Sequence, residues 1–374
     1  MTRETLAAAL ASAPEATQVP GYVVAARFGD GRIETASGGR RSIGEAGPMT
    51  PDTVFWIASF TKLVTSIAAM QLVDEGRLSL DQTVAGILPD FADLPILEGF
   101  DAAGAAVLRP PTDAPTVRHL FTHTSGLGYT FMDADLGRYA EQAGIGPDAA
   151  RRLPRRFAAG ERWHYGVSTD WLGAVVEAIE GETLDLVVAR RITGPLGMAD
   201  TSFAPSEAQT ARAAAVHARL PDGGLVPVPF AMPREPNFSM GGGGLYSTAG
   251  DYLALLVALL EGRILSDVSR AALFANQIGD LRAGVMVSSN PALTLDHEPL
   301  PGQPKRWGLG LLLNENPGPD GRSAGSGAWA GLANCYYWLD PIHGVAGVFL
   351  TQILPFGDPA ALRLFSRFER AVYG

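Results

Sequence analysis

The chain has 374 residues, 47% of them hydrophobic and 18% charged, which is enough for a large buried core. Its formal net charge of −10 argues against nucleic acid or an anionic membrane surface as a partner. No apolar run approaches the roughly 18 residues of a membrane span; the run Leu253 to Leu260 is far too short. A single cysteine, Cys335, excludes an internal disulfide and a cysteine-based zinc site. It lies in the strand-like stretch Asn334 to Trp338 and reads as a buried packing residue.

Taken in chain order, Leu6 to Ala13 is alanine-rich and preceded by Arg3, but Glu4 and Glu15 flank it. It reads as an amphipathic first helix rather than a signal peptide, which implies a cytoplasmic protein. Gly21 to Phe28 is strand-like, and Gly29-Asp30-Gly31-Arg32 turns the chain into a second strand. Ser59 then opens a helix in which Leu63, Ile67, Met70 and Val73 recur at helical spacing, with Gly76 as its stop. That helix is apolar nearly all round and should be buried.

Leu97 to Pro110 reads as a small exposed hairpin, and Pro110, Pro111 and Pro115 break the chain after it. From Val117 to about Ala204 the signals are mainly helical; one helix covers Trp171 to Ile179, and another, Val187 to Ile192, is ended by Gly194-Pro195. Residues 205–236 read as loop and hairpin. A helix follows over Tyr252 to Leu260, with Ser247, Thr248 and Asp251 as start signals. The last third predicts strands over Trp307 to Leu313, Ala333 to Leu339 and Val345 to Ile353, then a helix from about Pro359 to Val372.

This order gives an α/β (α+β) fold: an antiparallel sheet flanked by helices on both faces, formed by both chain ends, with an inserted, mainly helical lobe. The expected division is 1–78 with 236–374 for the α/β lobe and 79–235 for the helical one, with the site in the cleft between them.

The chemistry is concentrated in Ser59-Phe60-Thr61-Lys62. Positions i and i+3 share a helix face, so the Lys62 amine can reach the Ser59 hydroxyl. A serine hydroxyl is a poor nucleophile until a neighbouring base takes its proton, and this pair supplies both parts without a histidine. At the start of a buried helix, unpaired N–H groups and the dipole favour a developing oxyanion. Tyr165, in Arg162-Trp163-His164-Tyr165-Gly166-Val167-Ser168, offers a phenol that can shuttle a proton. Trp329-Ala330-Gly331-Leu332, entering the strand that holds Cys335, can present a backbone N–H beside a nucleophile.

These pieces, with His123-Thr124-Ser125-Gly126-Leu127, Gly194-Pro195-Leu196-Gly197-Met198 and Gly241-Gly242-Gly243-Gly244-Leu245-Tyr246-Ser247-Thr248, occur in one order along nearly the whole chain. In that order the chain resembles the serine β-lactamase and penicillin-binding-protein superfamily, and within it the family VIII carboxylesterases of class C β-lactamase fold. The resemblance implies Ser59 as acylated nucleophile, Lys62 as its base partner and Tyr165 as second member of the proton-transfer pair. It also implies an oxyanion hole from the N–H groups of Ser59 and Leu332. Lactamases carry Lys-Thr-Gly where Trp329-Ala330-Gly331 stands, and an asparagine where Val167 stands. Losing both polar groups shifts the expectation toward short-chain carboxylic esters, with Trp329, Ala330, Gly331 and Val167 at the substrate. The alternatives that share the site are a β-lactamase, a D-amino-acid peptidase or amidase, and an acyltransferase. No metal or organic cofactor is called for; the partner expected is a small ester.

Other signals carry less. Gly321-Arg322-Ser323-Ala324-Gly325 matches the nucleophile-elbow pattern but lacks a strand before it and a helix after it. His119 and His123 imitate a zinc pair without the glutamate of that motif, and His123 reads as a structural hydrogen-bonding residue. The glycines 241–244 lack a phosphate-loop ending and read as tight backbone passage near the cleft. The Arg151, Arg152, Arg155, Arg156 cluster reads as a solvated face, with the border of the pocket entrance as the alternative.

Overall fold

The computed structural model describes residues 5–44, 47–230 and 239–374. The N-terminal part contains α1 (Leu6–Ala11), β1 (Gly21–Arg27), β2 (Ile33–Gly39), β3 (Phe55–Trp56) and α2 (Thr61–Asp74). The middle contains β4 (Ile96–Phe100), β5 (Ala106–Arg109), α3 (Val117–Phe121), α4 (Ala134–Ala143), α5 (Ser168–Glu180), α6 (Leu184–Val188), α7 (Gly194–Leu196), α8 (Glu207–Thr210), β6 (His217–Arg219) and β7 (Leu225–Pro227). The last part contains β8 (Tyr246–Ser247), α9 (Ala249–Leu260), α10 (Asp267–Leu273), β9 (Lys305–Trp307), β10 (Leu312–Asn314), β11 (Gly327–Gly331), β12 (Cys335–Asp340), β13 (Val345–Leu350), β14 (Ile353–Leu354) and α11 (Pro359–Tyr373).

Seven strands form one sheet in the order β2-β1-β13-β12-β11-β10-β9, every neighbour antiparallel. The two chain ends meet where β1 pairs with β13, Val23 opposite Leu350. β1, β12 and β13 read as near-continuous apolar runs and are buried along almost their whole length, so both faces of the sheet are covered. Alternation along β12 shows by what. Tyr336 and Trp338 meet α11 through Phe365 and Phe368, whereas Tyr337 points the other way, onto Phe60 and Tyr252 of α9. Trp329 lies directly opposite Tyr337 across the β11–β12 ladder and so shares that second face. This is how a residue of the sheet comes to face the start of α2.

α2 is buried on all sides, Lys62 included, as its all-round apolar pattern requires. Gly76, at φ 69°, ends it. The small hairpin expected after Leu97 is β4–β5.

Several expected boundaries differ. Trp307 to Leu313 is two short strands, because Gly308 and Gly310 (φ 95°) turn the chain and the Gly308 N–H donates to Leu311 O. Trp329 to Gly331 does not enter the Cys335 strand; it is a strand of its own, and the turn at Leu332–Asn334, with Asn334 at φ 62°, sends the chain back as β12. Gly194-Pro195 does not end a helix. It opens the turn α7, and Gly197, at φ 67°, is the stop. The arginine cluster divides: Arg152 is exposed and Arg151 borders a cavity, whereas Arg155 is buried and paired fork to fork with Asp113, and Arg156 bridges Asp133 and Asp135. Of the stretch 205–236, residues 231–236 lie outside the described residues.

Candidate active site

Ser59 sits in a single 3₁₀ turn, Ala58–Phe60, that feeds α2. The turn begins at Ala58 with φ 46°, a left-handed conformation that costs a non-glycine residue about 1–2 kcal/mol. Surrounding contacts hold it there. Ile57 N–H donates to Leu245 O at 3.0 Å, Thr61 Oγ1 donates to Ala58 O at 2.6 Å, and Tyr252 Oη donates to Phe60 O at 2.9 Å. Strain overruled by its surroundings in this way is a mark of functional turns.

One helical turn on, Lys62 Nζ donates to Ser59 Oγ at 3.2 Å, to Tyr129 Oη at 2.8 Å and to Gly242 O at 2.7 Å. These three acceptors match the three hydrogens of an ammonium. A neutral amine can keep the bond to the carbonyl, which only accepts, and turn its lone pair to the Ser59 hydroxyl. The pair is therefore built for proton transfer in either direction.

Tyr165, expected as a phenol that shuttles a proton, meets Lys62 with its ring and not with its oxygen. The lysine nitrogen lies over its ring, 4.7 Å from the centroid, and the phenol bonded to Lys62 is Tyr129. Tyr165 Oη instead accepts the indole N–H of Trp329 at 3.0 Å. Trp329, expected as a flat apolar surface, thus holds a phenol by hydrogen bonding. Tyr165 is further boxed in by Trp329 (centroids 4.8 Å apart), His123 (4.9 Å) and Tyr129 (5.4 Å). Burial, reinforced by the charges of Tyr165 and Asp170, pushes the Tyr129 hydroxyl well above the usual phenol range, so it stays protonated at neutral pH.

His123 is fully enclosed, and among the described residues its Nδ1 has no hydrogen-bond partner. Burial, then the Lys62 charge, holds it well below the usual imidazole range. Its part is edge-on packing against Trp307, with centroids 5.2 Å apart, and not the hydrogen bonding expected of it.

The glycine run explains itself by what it touches. Gly241 O accepts from Thr65 Oγ1 of α2, and a Cβ on Gly241 would come within 2.9 Å of Thr169 O in α5. A Cβ on Gly242 would lie 2.4 Å from Asp170 Oδ2. Backbone alone fits between the two helices, as the expected tight passage requires.

Gly331 makes the same kind of approach: a Cβ there would sit 2.5 Å from Ile57 O. The end of β11 therefore lies against the Ser59 turn, with Leu332 next in the chain. Ser59, Tyr129, Tyr165, Val167, Ala330 and Leu332 all line one cavity of about 760 Å³. Gly331 and Trp329 line it too, and its walls extend outward through Trp56 and Phe230 (ring centroids 4.3 Å apart), Phe131, Ile145, Leu153 and Met286.

Ser323 is partly exposed and does not line this cavity. It imitates a catalytic triad, for Ser323 Oγ is 2.8 Å from His343 Nδ1 and His343 Nδ1 is 3.0 Å from Asp340 Oδ2. One ring nitrogen faces both partners. If it carries the proton that Asp340 accepts, it cannot take one from serine. No helix follows Ser323; β11 does. Cys335 is buried, and burial pushes its thiol up to about 12.

Tyr129 was not singled out in the sequence. It stands two residues beyond the matched His123–Leu127 segment, in Gly128-Tyr129-Thr130-Phe131, where nothing in spacing or periodicity points to Lys62. Its only signal was an aromatic pair after a double-glycine loop.

A sheet joined from both chain ends, a buried helix opening on Ser-x-x-Lys and a strand edge beside that serine define the serine transpeptidase class of fold. The chain belongs to the beta-lactamase family, whose model matches residues 6–371. It is 32% identical over 391 residues to the monacolin J acid methylbutanoyltransferase of Aspergillus terreus, covering 98% of this chain and 94% of that protein. It is 30% identical over 380 residues to the lovastatin esterase of Penicillium rubens, covering 95% and 94%. The unliganded simvastatin synthase of Aspergillus terreus superposes with a TM-score of 0.81 at 31% identity, covering 98% of this chain and 97% of that one.

Among the described residues, no helix is long and apolar enough to cross a membrane.

Proposed function

We propose that the protein is a serine acyltransferase that takes an acyl group onto Ser59 and delivers it to the hydroxyl of a bulky, largely apolar alcohol. Lys62 accepts the Ser59 proton as Oγ attacks the donor carbonyl. The oxyanion falls between the N–H groups of Ser59 and Leu332, each such donor typically worth about 2.7–4 kcal/mol in the barrier. Tyr165, its oxygen tied to Trp329, passes a proton to the leaving group, and Tyr129 keeps Lys62 aimed. In the second half the acceptor hydroxyl gives its proton to Tyr165 as it attacks the acyl carbonyl, and Lys62 returns the proton it took to the departing Ser59 Oγ.

The observation that carries this reading is the cavity. About 760 Å³ with aromatic and aliphatic walls is far more than the short acyl group expected from sequence needs, and it leaves room for a second, large reactant. The names of the transferase and synthase relatives support the same direction. Ester hydrolysis is the second reading, favoured by the lovastatin esterase relative; it differs only in water taking the acyl group. Buried Val167 offers no side-chain amide to hold a peptide or lactam, which leaves those substrates without support.

Partition of the acyl-enzyme separates the two. With a p-nitrophenyl acyl ester as donor and rising concentrations of a bulky alicyclic alcohol, the new ester should grow at the expense of free acid, and Ser59→Ala should abolish both. Acid as sole product at saturating alcohol would leave the protein a hydrolase.

A further inference from the structure

Asp170 is a buried carboxylate in the first turn of α5, five residues after Tyr165, and the chemistry above does not use it. Its Oδ1 accepts the Gly242 N–H at 3.0 Å. The carbonyl of the same glycine accepts Lys62 Nζ at 2.7 Å. Nothing but hydrogen fits on the Gly242 Cα, because a Cβ there would come within 2.4 Å of Asp170 Oδ2. The aspartate therefore fixes the glycine on one side while the glycine holds the lysine on the other. Resting on the Ser59–Lys62 reading, we propose that Asp170 is a positioning residue of that pair, seating the Gly242 carbonyl on Lys62 and supplying the buried negative charge that faces the ammonium.

The charges around it make this specific. The charges of Lys62 in α2 and Arg151 in the turn 147–152 act to lower the Asp170 carboxyl, and Asp170 in turn acts to raise the Tyr129 hydroxyl in the loop after α3. Burial pushes the Asp170 carboxyl above its ordinary value, and Lys62, the Gly242 N–H and Arg151 oppose that. A purely structural aspartate would hold the glycine turn and nothing more. One that also faces the lysine must affect the pH at which the Ser59–Lys62 pair becomes competent. A nearby negative charge favours the ammonium, so removing it lets the proton leave at lower pH.

The test measures the rate at which a fluorophosphonate labels the full chain against pH, a readout that needs no knowledge of donor or acceptor. Asp170→Asn keeps an oxygen for the Gly242 N–H and loses the charge. Its acidic limb should move down by about one pH unit or more, as expected for nearby charges at an effective dielectric of about 20, and its plateau rate should fall severalfold. An acidic limb that stays in place overturns the proposal, whatever happens to thermal stability. Asp170→Glu keeps the charge but pushes on Gly242. It should leave the limb within a few tenths of a unit and lower the plateau at least threefold; a displaced limb, or no change in either quantity, also overturns the proposal. Labelling that survives Ser59→Ala removes the nucleophile itself and so sinks the parent reading, an outcome distinct from either Asp170 result.

Discussion

Of the side chains gathered around Lys62, the local one was legible in the sequence and the distant phenol was not. Ser59 and Lys62 were legible because their meeting is local: three residues along one helix put the groups together wherever the helix goes. Tyr129 reaches Lys62 from 67 residues away through a loop, so only the fold brings it there. Trp329 was noticed for its face and matters for its edge, since its indole N–H donates to Tyr165. Trp329→Phe keeps an aromatic ring in the wall and deletes that donor. A hydrogen bond of this kind is worth about 0.5–1.5 kcal/mol net. The acylation rate should fall about three- to tenfold, with KM for a p-nitrophenyl ester nearly unchanged, in steady-state and burst kinetics. A loss confined to KM would mean that Trp329 acts only as binding surface. Tyr129→Phe removes an acceptor from Lys62 without emptying the site. It should lower kcat by about tenfold, and unaltered turnover would show that Tyr129 does not aim Lys62.

At the scale of elements, composition showed which segments are apolar but not where they fold back. The predicted strand over Trp307 to Leu313 misses its turn because Gly308 and Gly310 break the pleat inside an apolar run, and the strand expected over Ala333 to Leu339 starts only at Cys335 because buried Asn334 still belongs to the turn. Periodicity is blind to a turn whose residues are themselves buried. Long-range ion pairs between helix ends are equally invisible. Glu180, the last residue of α5, accepts Arg190 at 2.5 Å, Arg191 at 2.8 Å and Arg77 at 2.5 Å, tying the end of α2 to the segment after α6. Burial acts to raise its carboxyl, but the three guanidinium groups win and hold it down at about 2. An unfolded glutamate titrates near 4.3. The stabilisation is therefore full above about pH 4.3 and is lost as pH falls from there toward 2. Because Arg77 and Arg190 are 40% and 49% exposed, solvent screens much of it, and about 1 kcal/mol is the expected worth. Glu180→Gln should be less stable than the parent by that amount in urea at pH 7, and the gap should close between pH 4 and pH 2. A gap that persists unchanged at pH 2.5 would assign the loss to packing instead of charge.

For the whole molecule, the alternation of end segments rich in strands with a helical middle was enough to infer a sheet closed from both termini, and β1 paired to β13 is that closure. What the pattern could not supply is how the last helix is held. Arg322, in the loop before β11, forms a bidentate pair with Glu369 of α11, Nε to Oε1 at 2.6 Å, with both side chains buried. Removing one partner strands a buried charge, at a cost of about 3–5 kcal/mol, whereas replacing both by apolar groups of similar volume can be near neutral. Glu369→Ala should therefore lower the melting temperature by several degrees, and Arg322→Met combined with Glu369→Leu should recover most of that loss. The site has a stake in the outcome. α11 packs on Tyr336 and Trp338 of β12. Tyr337 of the same strand packs on Phe60 of the Ser59 turn, and opposite it stands Trp329. Loosening one face of β12 should loosen the other, so phosphonate labelling of Ser59 should disappear in the same thermal transition as near-ultraviolet circular dichroism in both parent and Glu369→Ala. Labelling lost well before the tertiary signal would show that the nucleophile turn opens on its own, independently of the helix that covers the opposite face of the sheet.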